Sequence, residues 1–599
     1  MLKEAISHEN TIRFVHAKSR ECLNFRIRVG RQDMKRCQLI YFSRTNPDEK
    51  KRVDMVWKYR DRWFDYYEAE VCFKKVARYQ KYYFCLEDRR GEVEYLGVNG
   101  FTGTEPEDGL FEFLYANEGD IYEIPGWAKG QIFYQIFPER FANGRKDNDP
   151  EGCVPWGSTP TRENYMGGDI AGICQHLDYL KELGVGCIYF NPIFQGDFNH
   201  KYATTDYYKI DPMFGTEEEF RELVAACHER KIKVILDGVF NHTGIHFEPF
   251  QDILKHQEAS RYKEWFYITE YPVNISHRNY ECVGAYKWMP KLNTSNLEVV
   301  EYILKVMEYW IREYHIDGWR LDVADEVDKR VWQRARACLK VKYPDCLLLG
   351  ETWGYGLNMM QGDQMDSVMN YVFRDFTRDF FAYEAIDARE LDHRINQMLS
   401  AYFGEAKHGL YNLLDSHDTE RFLTMSKEDK RRLKLAAAFQ FLFPGAPAIY
   451  YGDEIGMTGE NDPDCRKAMK WGQEEQDREL YSWYCRMTAL RKKERCIREG
   501  NYVTNLCSEK EGVFGFIRYD EEDCIYIVFN RSEEENRSYI PVREMGDYQD
   551  LVTGEEAVSE EIIKGEHFYN GDVMAYEGKI RIYMEPYAVK IIKKINGGR

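Results

Sequence analysis

GWRLDVADEV (residues 318–327) decides the reading of this chain. Its apolar start reads as a short buried strand, and it places Arg320 and Asp322 two residues apart. Side chains at i and i+2 leave a strand on the same face, so guanidinium and carboxylate project side by side. A neighbouring cation favours an ionised carboxylate, the state a nucleophile needs. Alone, such a pair is usually an ordinary ion pair. Three further clusters share its format. IKVILDGVFNH (232–242) carries Asp237, Asn241 and His242; CLLLGETW (346–353) carries Glu351; LYNLLDSHD (410–418) carries His417 and Asp418.

Each cluster ends an apolar, β-branched or aromatic run that follows a helical pattern. Buried strands alternating with helices indicate a parallel sheet covered by helices. QIFYQIF (131–137), GCIYFNPIF (186–194), SVMNYVF (367–373) and APAIYYG (446–452) bring the strand count to eight. Eight such units predict a (β/α)8 TIM barrel, with functional residues at the C-terminal ends of several strands. A doubly wound sheet would favour a glycine-rich phosphate turn, and no GxGxxG or GxxxxGK[ST] stands between a strand and a helix.

DGVFNH, GWRLDVADEV, GETW and LLDSHD closely resemble the ordered motifs of the alpha-amylase superfamily, glycoside hydrolase family 13. MPKLN (289–293), QIFPERFANG (135–144), HKYATTDYY (200–208) and YYGDEIGMTGENDPDCRKAM (450–469) resemble its neopullulanase, cyclomaltodextrinase and maltogenic amylase branch. The resemblance covers essentially the whole chain. It implies retaining hydrolysis of α-1,4-glucosidic bonds in cyclodextrins, maltooligosaccharides, starch or pullulan, with some transglycosylation. Two alternatives stay open: a dedicated α-glucan transglycosylase with the same catalytic carboxylates, and a non-catalytic glycan-binding protein on the same barrel.

Glycosidic hydrolysis needs one carboxyl group to protonate the leaving oxygen and a second as nucleophile or base. By resemblance Asp322 is the nucleophile, Glu351 the general acid/base and Asp418 the transition-state stabiliser. A retaining pair sits roughly 5–5.5 Å apart. The expectation is a raised pKa at Glu351 and an ionised Asp322 beside Arg320. Resemblance also implies that Tyr202 is the aromatic platform beneath the sugar, with His242, Arg320, His417, Asp462 and Arg466 binding substrate. Asp237 reads as a support for Arg320. Trp353 and Glu326 resemble positions bordering the acceptor side and stay outside the catalytic set. Asp325 stands where the branch commonly has Asn, an extra carboxylate near the acceptor site.

FANGRKDNDP (141–150) gathers carboxylates and amides in a loop after the first strand, which suits a hard cation with oxygen ligands. The resemblance implies a structural Ca2+ held by Asn143, Asn148, Asp149, Gly167 and Asp169. Arg145 stands where relatives often carry Asp, and Asp147 is the candidate substitute. No cofactor is needed for the chemistry itself.

At 599 residues the chain exceeds a single barrel of about 250–400 residues. Residues 1–124 alternate charged and apolar residues, as in NFRIRV and CQLIYF, and predict an antiparallel β-sandwich. In the resembling branch such a module mediates a homodimer. The barrel is expected over 125–503, with a long excursion after its third strand at about 243–297, the small domain B. Alternation returns in VFGFIRYDEEDCIYIVFN (513–530), so 504–599 reads as a second β-sandwich. The net charge of −19 argues against nucleic-acid binding. LKLAAAFQFLF (433–443) is too short for a membrane span. MLKEAISHENTIRF lacks the apolar core of a secretory signal. With sixteen scattered cysteines and no CxxC pair, reduced thiols and a cytoplasmic location are expected.

Overall fold

The eight apolar runs form one parallel sheet in the computed structural model, which describes residues 1–508, 512–570 and 574–595. The strands are β1 (Phe133–Ile136), β2 (Cys187–Phe190), β3 (Lys233–Gly238), β4 (Gly318–Leu321), β5 (Leu347–Gly350), β6 (Ser367–Val368), β7 (Tyr411–Leu413) and β8 (Ala446–Tyr450). Their spatial order is β6-β5-β4-β3-β2-β1-β8-β7. A parallel bridge from Met369 to Tyr411 joins the two ends and closes the barrel. Phe133, Tyr189, Ile235, Leu349, Leu413 and Ala448 fill the interior as one cluster, so the cylinder is a packed core. Gly318 opens β4 because a Cβ there would lie 2.4 Å from the Leu347 carbonyl oxygen.

The helices follow their apolar periodicity. In Leu297–Tyr314, Asn296 caps the first turn, and Val299, Val300, Ile303, Val306, Met307, Trp310, Ile311 and Tyr314 are buried. Each fully buried aliphatic of that stripe contributes about 1.5–3 kcal/mol. Lys430–Leu442 holds most of the apolar run 433–443; from Leu435 to Leu442 every residue is buried, which explains its lack of a polar face. After β3 the chain makes a long excursion containing the helix Glu248–His256. It returns along MPKLN, where Lys291 bridges His242 and Leu292 bridges Phe266. That return pins the motif against the end of β3.

The barrel belongs to a compact unit of Ile124–Tyr383 and His408–Glu499. A second unit comprises Met1–Glu123, Glu384–Lys407 and Gly500–Arg599. Its N-terminal part is two antiparallel sheets. Alternate residues Leu23, Phe25, Ile27 and Val29 bury one face, and Leu39, Phe84 and Leu86 the other. Its C-terminal part has a six-stranded sheet beginning at Asn501–Ser508 and a three-stranded sheet around Gly578–Met584, joined by Val513, Ile517, Val528, Ile540 and Ile580. The helix Ala388–Ala401 groups with these β-modules and not with the barrel that follows it in sequence. Its Asp392 accepts from Tyr569 at 2.5 Å, and Arg26 donates to the Ser400 carbonyl at 2.8 Å. Sequence periodicity marks the helix but not which side it packs on.

The expectation of reduced thiols throughout is corrected at one pair. Cys22 and Cys72 are direct neighbours on antiparallel strands and form a disulfide. Cross-strand placement puts their β-carbons together, a proximity their separation of 50 residues conceals. The other fourteen cysteines are not disulfide-bonded. Among the described residues, no helix is long and apolar enough to cross a membrane.

Candidate active site

The ends of β3, β4, β5 and β7 deliver Asp237, Arg320, Asp322, Glu351, His417 and Asp418 to one end of the barrel. Asp322, Glu351 and Asp418 line a single cavity of about 1020 Å3, together with Tyr202, His242, His417, Asp462 and Arg466. Arg320 lies fully buried beneath it, among three carboxylates. Its Nη1 donates to Asp322 Oδ1 at 2.7 Å and to the Asp237 oxygens at 2.9 and 3.0 Å. Nη2 lies 2.8 Å from Glu351 Oε1 without hydrogen-bond alignment. The same-face pair read from the sequence is therefore a direct contact.

Burial raises the pKa of Asp322 well above the ordinary range; Arg320 opposes this, and Glu351 and Asp237 add to it. Burial also raises Glu351; Arg320 again opposes, and Asp418 reinforces the rise. The charge of Glu351 acts on Asp322, so the two carboxyl groups titrate as a pair. An ionised Asp322 does not follow from burial, which pushes it the other way. Arg320 gives Asp322 an aligned hydrogen bond and gives Glu351 none, an asymmetry that favours the ionised form of Asp322. Glu351 is further held by the Val323 backbone N–H at 2.9 Å. Val323 adopts φ 45°, a left-handed conformation that a β-branched residue rarely tolerates. Strain of this kind, on the order of 1–3 kcal/mol, gathers at sites where backbone direction matters.

His242 is buried, and neither ring nitrogen makes an aligned hydrogen bond within the protein. Burial pushes its pKa down to about 3, so it is a neutral donor and acceptor facing the cavity. Arg466 pairs with Asp462 at 2.8 Å, lies 3.4 Å from Asp418 and donates to the His417 carbonyl at 2.8 Å. Trp353, more than half exposed, stacks on Tyr371 at 4.1 Å and shares the wall with Glu326 and Asp325. Asp325 accepts from Thr352, the residue after Glu351, at 3.1 Å.

Sequence reasoning missed several contributors. Gln135, Tyr189 and Asn191 stand at or just past the ends of β1 and β2 and hydrogen-bond to the named residues. Their place at strand ends was the available signal. Arg162, 3.1 Å from Asp462, comes from a loop without any. Phe198, Tyr286 and Trp288 form an aromatic wall.

The loop after β1 gathers oxygen atoms of the type a hard cation takes. Asn143 donates to Asp149 at 2.7 Å, leaving its carbonyl oxygen buried without a partner. Asn148 donates to the Met213 carbonyl and leaves its own carbonyl oxygen likewise. Gly167, at φ 79°, permits this approach: a Cβ there would lie 2.1 Å from Asp149 Oδ1. Asp169 is engaged otherwise, accepting from the Gly172, Gly144 and Arg145 backbone N–H groups at 2.6–2.9 Å. Asp147, mostly exposed, pairs with Arg145 at 3.1 Å. The two orphaned amide oxygens and the Asp149 carboxylate fit a hard cation.

Residues 135–489 match the alpha amylase catalytic domain family, and residues 1–117 the alpha amylase N-terminal ig-like domain family. The chain is 42% identical over 575 residues to a cyclomaltodextrinase of Geobacillus thermopakistaniensis (strain MAS1), covering 94% of this chain and 96% of that protein. It is 40% identical over 602 residues to neopullulanase 2 of Thermoactinomyces vulgaris, covering 99% of both. A solved cyclomaltodextrinase structure superposes with a TM-score of 0.92 at 37% identity, over 99% of this chain and all of that one.

Proposed function

The chain belongs to the alpha-amylase family of glycoside hydrolases, and on that premise we propose that it hydrolyses α-1,4-glucosidic bonds with retention of configuration. Its substrates are cyclodextrins and maltooligosaccharides, with pullulan and starch as longer alternatives. One observation carries this reading: three carboxyl groups from the ends of three separate barrel strands meet at one cavity, two of them on a single buried guanidinium.

Asp322, ionised against Arg320, attacks the anomeric carbon. Glu351 gives its proton to the leaving oxygen, then takes one from the water that releases the glycosyl-enzyme. Asp418 and His417 hold sugar hydroxyls as the ring flattens. Tyr202 lies beneath the ring, and His242 supplies an imidazole free of protein partners. Asp462 and Arg466 bind the neighbouring sugar. Aromatic side chains lining the same cavity suit a glucose acceptor, which supports some transglycosylation. Nothing favours a dedicated transglycosylase, since the relatives named above carry hydrolase names.

Ca2+ in the loop after β1 would be held by Asn143, Asn148 and Asp149 beside Gly167, with Asp169 fixing the backbone and Asp147 not needed. It would brace the loop and take no part in the chemistry. A homodimer through the N-terminal module and a cytoplasmic location complete the reading.

NMR of the first products from β-cyclodextrin tests the mechanism: an α-configured new reducing end is expected, and a β-configured one overturns retention. Glu351→Gln should lose about 10²–10⁴-fold in kcat and Asp322→Asn at least as much, with unchanged circular dichroism. Near-normal turnover in either purified variant refutes its role. Parallel product analysis on β-cyclodextrin, starch and pullulan ranks the substrates.

A further inference from the structure

We propose that Gln135 is a positioning residue for this reaction: from the end of β1 it fixes the His417 imidazole in the tautomer that carries its proton on Nε2, beside Asp418. The proposal rests on the catalytic reading above for its consequence, but its geometry stands apart from it.

His417 is buried, and burial holds its pKa well below the ordinary value, with Arg466 and Arg320 acting in the same sense. The ring is therefore neutral and carries one N–H, on one nitrogen or the other. Two chains of contacts decide which. The first starts at Asp237, whose Oδ2 takes the hydroxyl of Tyr189 at 2.6 Å and that of Tyr202 at 2.8 Å. A phenol has one proton, and that of Tyr202 is engaged by Asp237. Its oxygen must then accept at its two remaining contacts, from Asn191 Nδ2 at 2.8 Å and from His417 Nε2 at 2.6 Å.

The second chain runs the other way round. Because Asn191 donates through its amide nitrogen, its Oδ1 accepts from Gln135 Nε2 at 2.9 Å. That orientation directs the carboxamide nitrogen of Gln135 at His417 Nδ1, 2.8 Å away, so Nδ1 accepts. Both chains put the proton on Nε2. The same nitrogen lies 3.2 Å from Asp418 Oδ2. The opposite tautomer would set an imidazole lone pair against the oxygens of Tyr202 and Asp418, and an N–H against an amide N–H. The other groups on the ring's surroundings do not alter this: Arg466 and the Cys465 thiol both donate to the His417 backbone carbonyl. His200 stands behind Tyr202, and its pKa is likewise depressed by burial.

With its Nε2 proton given to the Tyr202 oxygen, the imidazole holds the Tyr202 ring in place and turns no lone pair towards Asp418. Gln135→Glu tests it with little change of shape, because a carboxylate can only accept at Nδ1. It forces the proton off Nε2, and kcat at pH 7.5 should fall by about 100-fold, as when one positioned donor is lost. Lowering the pH then protonates the introduced buried carboxylate, which donates to Nδ1 and returns the ring proton to Nε2. The ratio of variant to wild-type kcat should therefore rise at least about tenfold between pH 7.5 and pH 5. Gln135→Met removes donor and acceptor alike, forces neither tautomer, and should lose less than about tenfold with no recovery in acid. Equal losses in the two variants with parallel pH profiles would show that Gln135 only packs, and overturn the proposal. Neutron diffraction of the deuterated wild-type protein reads the tautomer without any substrate: deuterium on Nε2 is expected, and deuterium on Nδ1 sinks the inference. Absence of α-glucan hydrolysis in the wild type, by contrast, would overturn the catalytic reading and leave the tautomer assignment standing.

Discussion

Replacing Asp237 by Asn should weaken the barrel and the site together, by an amount the geometry allows to be worked out. The carboxylate is fully buried, and it accepts from Tyr189, Tyr202 and Arg320 Nη1 at 2.6–3.0 Å. Asn keeps one acceptor oxygen but turns an NH2 group towards donors. Removing one partner of a buried, hydrogen-bonded ion pair costs about 3–5 kcal/mol. Arg320 retains Asp322 and Glu351, so the lower end applies. The barrel unit, Ile124–Tyr383 with His408–Glu499, unfolds with about 2.1 cal/mol/K per residue, or roughly 0.7 kcal/mol/K in all. A loss of about 3 kcal/mol then lowers its Tm by about 4 °C. The same change removes one of the charges that raise Asp322, so the acid limb of kcat/KM should move to lower pH. Differential scanning calorimetry and a pH–rate profile on a maltooligosaccharide read the two effects. A Tm within 1 °C of wild type, or an acid limb moved upward, would refute this account of Asp237.

Asp392 predicts a pH-dependent stability in the other unit. Burial raises its pKa to about 6, above its ordinary 3.8. The folded state therefore holds this proton more tightly, and stability from this group is lost as pH rises from about 4 to about 6. Above pH 6 the buried carboxylate costs up to about 3 kcal/mol. Asp392→Asn should raise the urea midpoint at pH 8 and leave it unchanged at pH 4; an equal shift at both pH values contradicts the assignment. Chelation provides a further check. Removing Ca2+ with EDTA should lower Tm by a few degrees, since a ligand bound only to the folded state stabilises it by mass action. Asn148→Ala should abolish that difference, and a Tm indifferent to EDTA and added Ca2+ would dismiss the metal.

The chain by itself determined the barrel, its order and most of the site. The information lies in local patterns: eight apolar runs between helical periodicities, and polar clusters at the ends of four of them. Strand alternation was enough to put Arg320 and Asp322 on one face, and β-module alternation was enough at both ends of the chain. Other features depend on groups distant in sequence, and only the tertiary structure decided them. Arg320 is held among three carboxylates because β3, β4 and β5 lie side by side in register, with Asp237 opposite Arg320. Burial, which sequence does not quantify, raises Asp322 as well as Glu351. The pairing of Cys22 with Cys72 and the attachment of Ala388–Ala401 to the β-modules follow from neighbours far along the chain. So does the tautomer of His417, since β1, β2 and β3 must close into a cylinder before Gln135, Asn191 and Tyr202 can surround one imidazole.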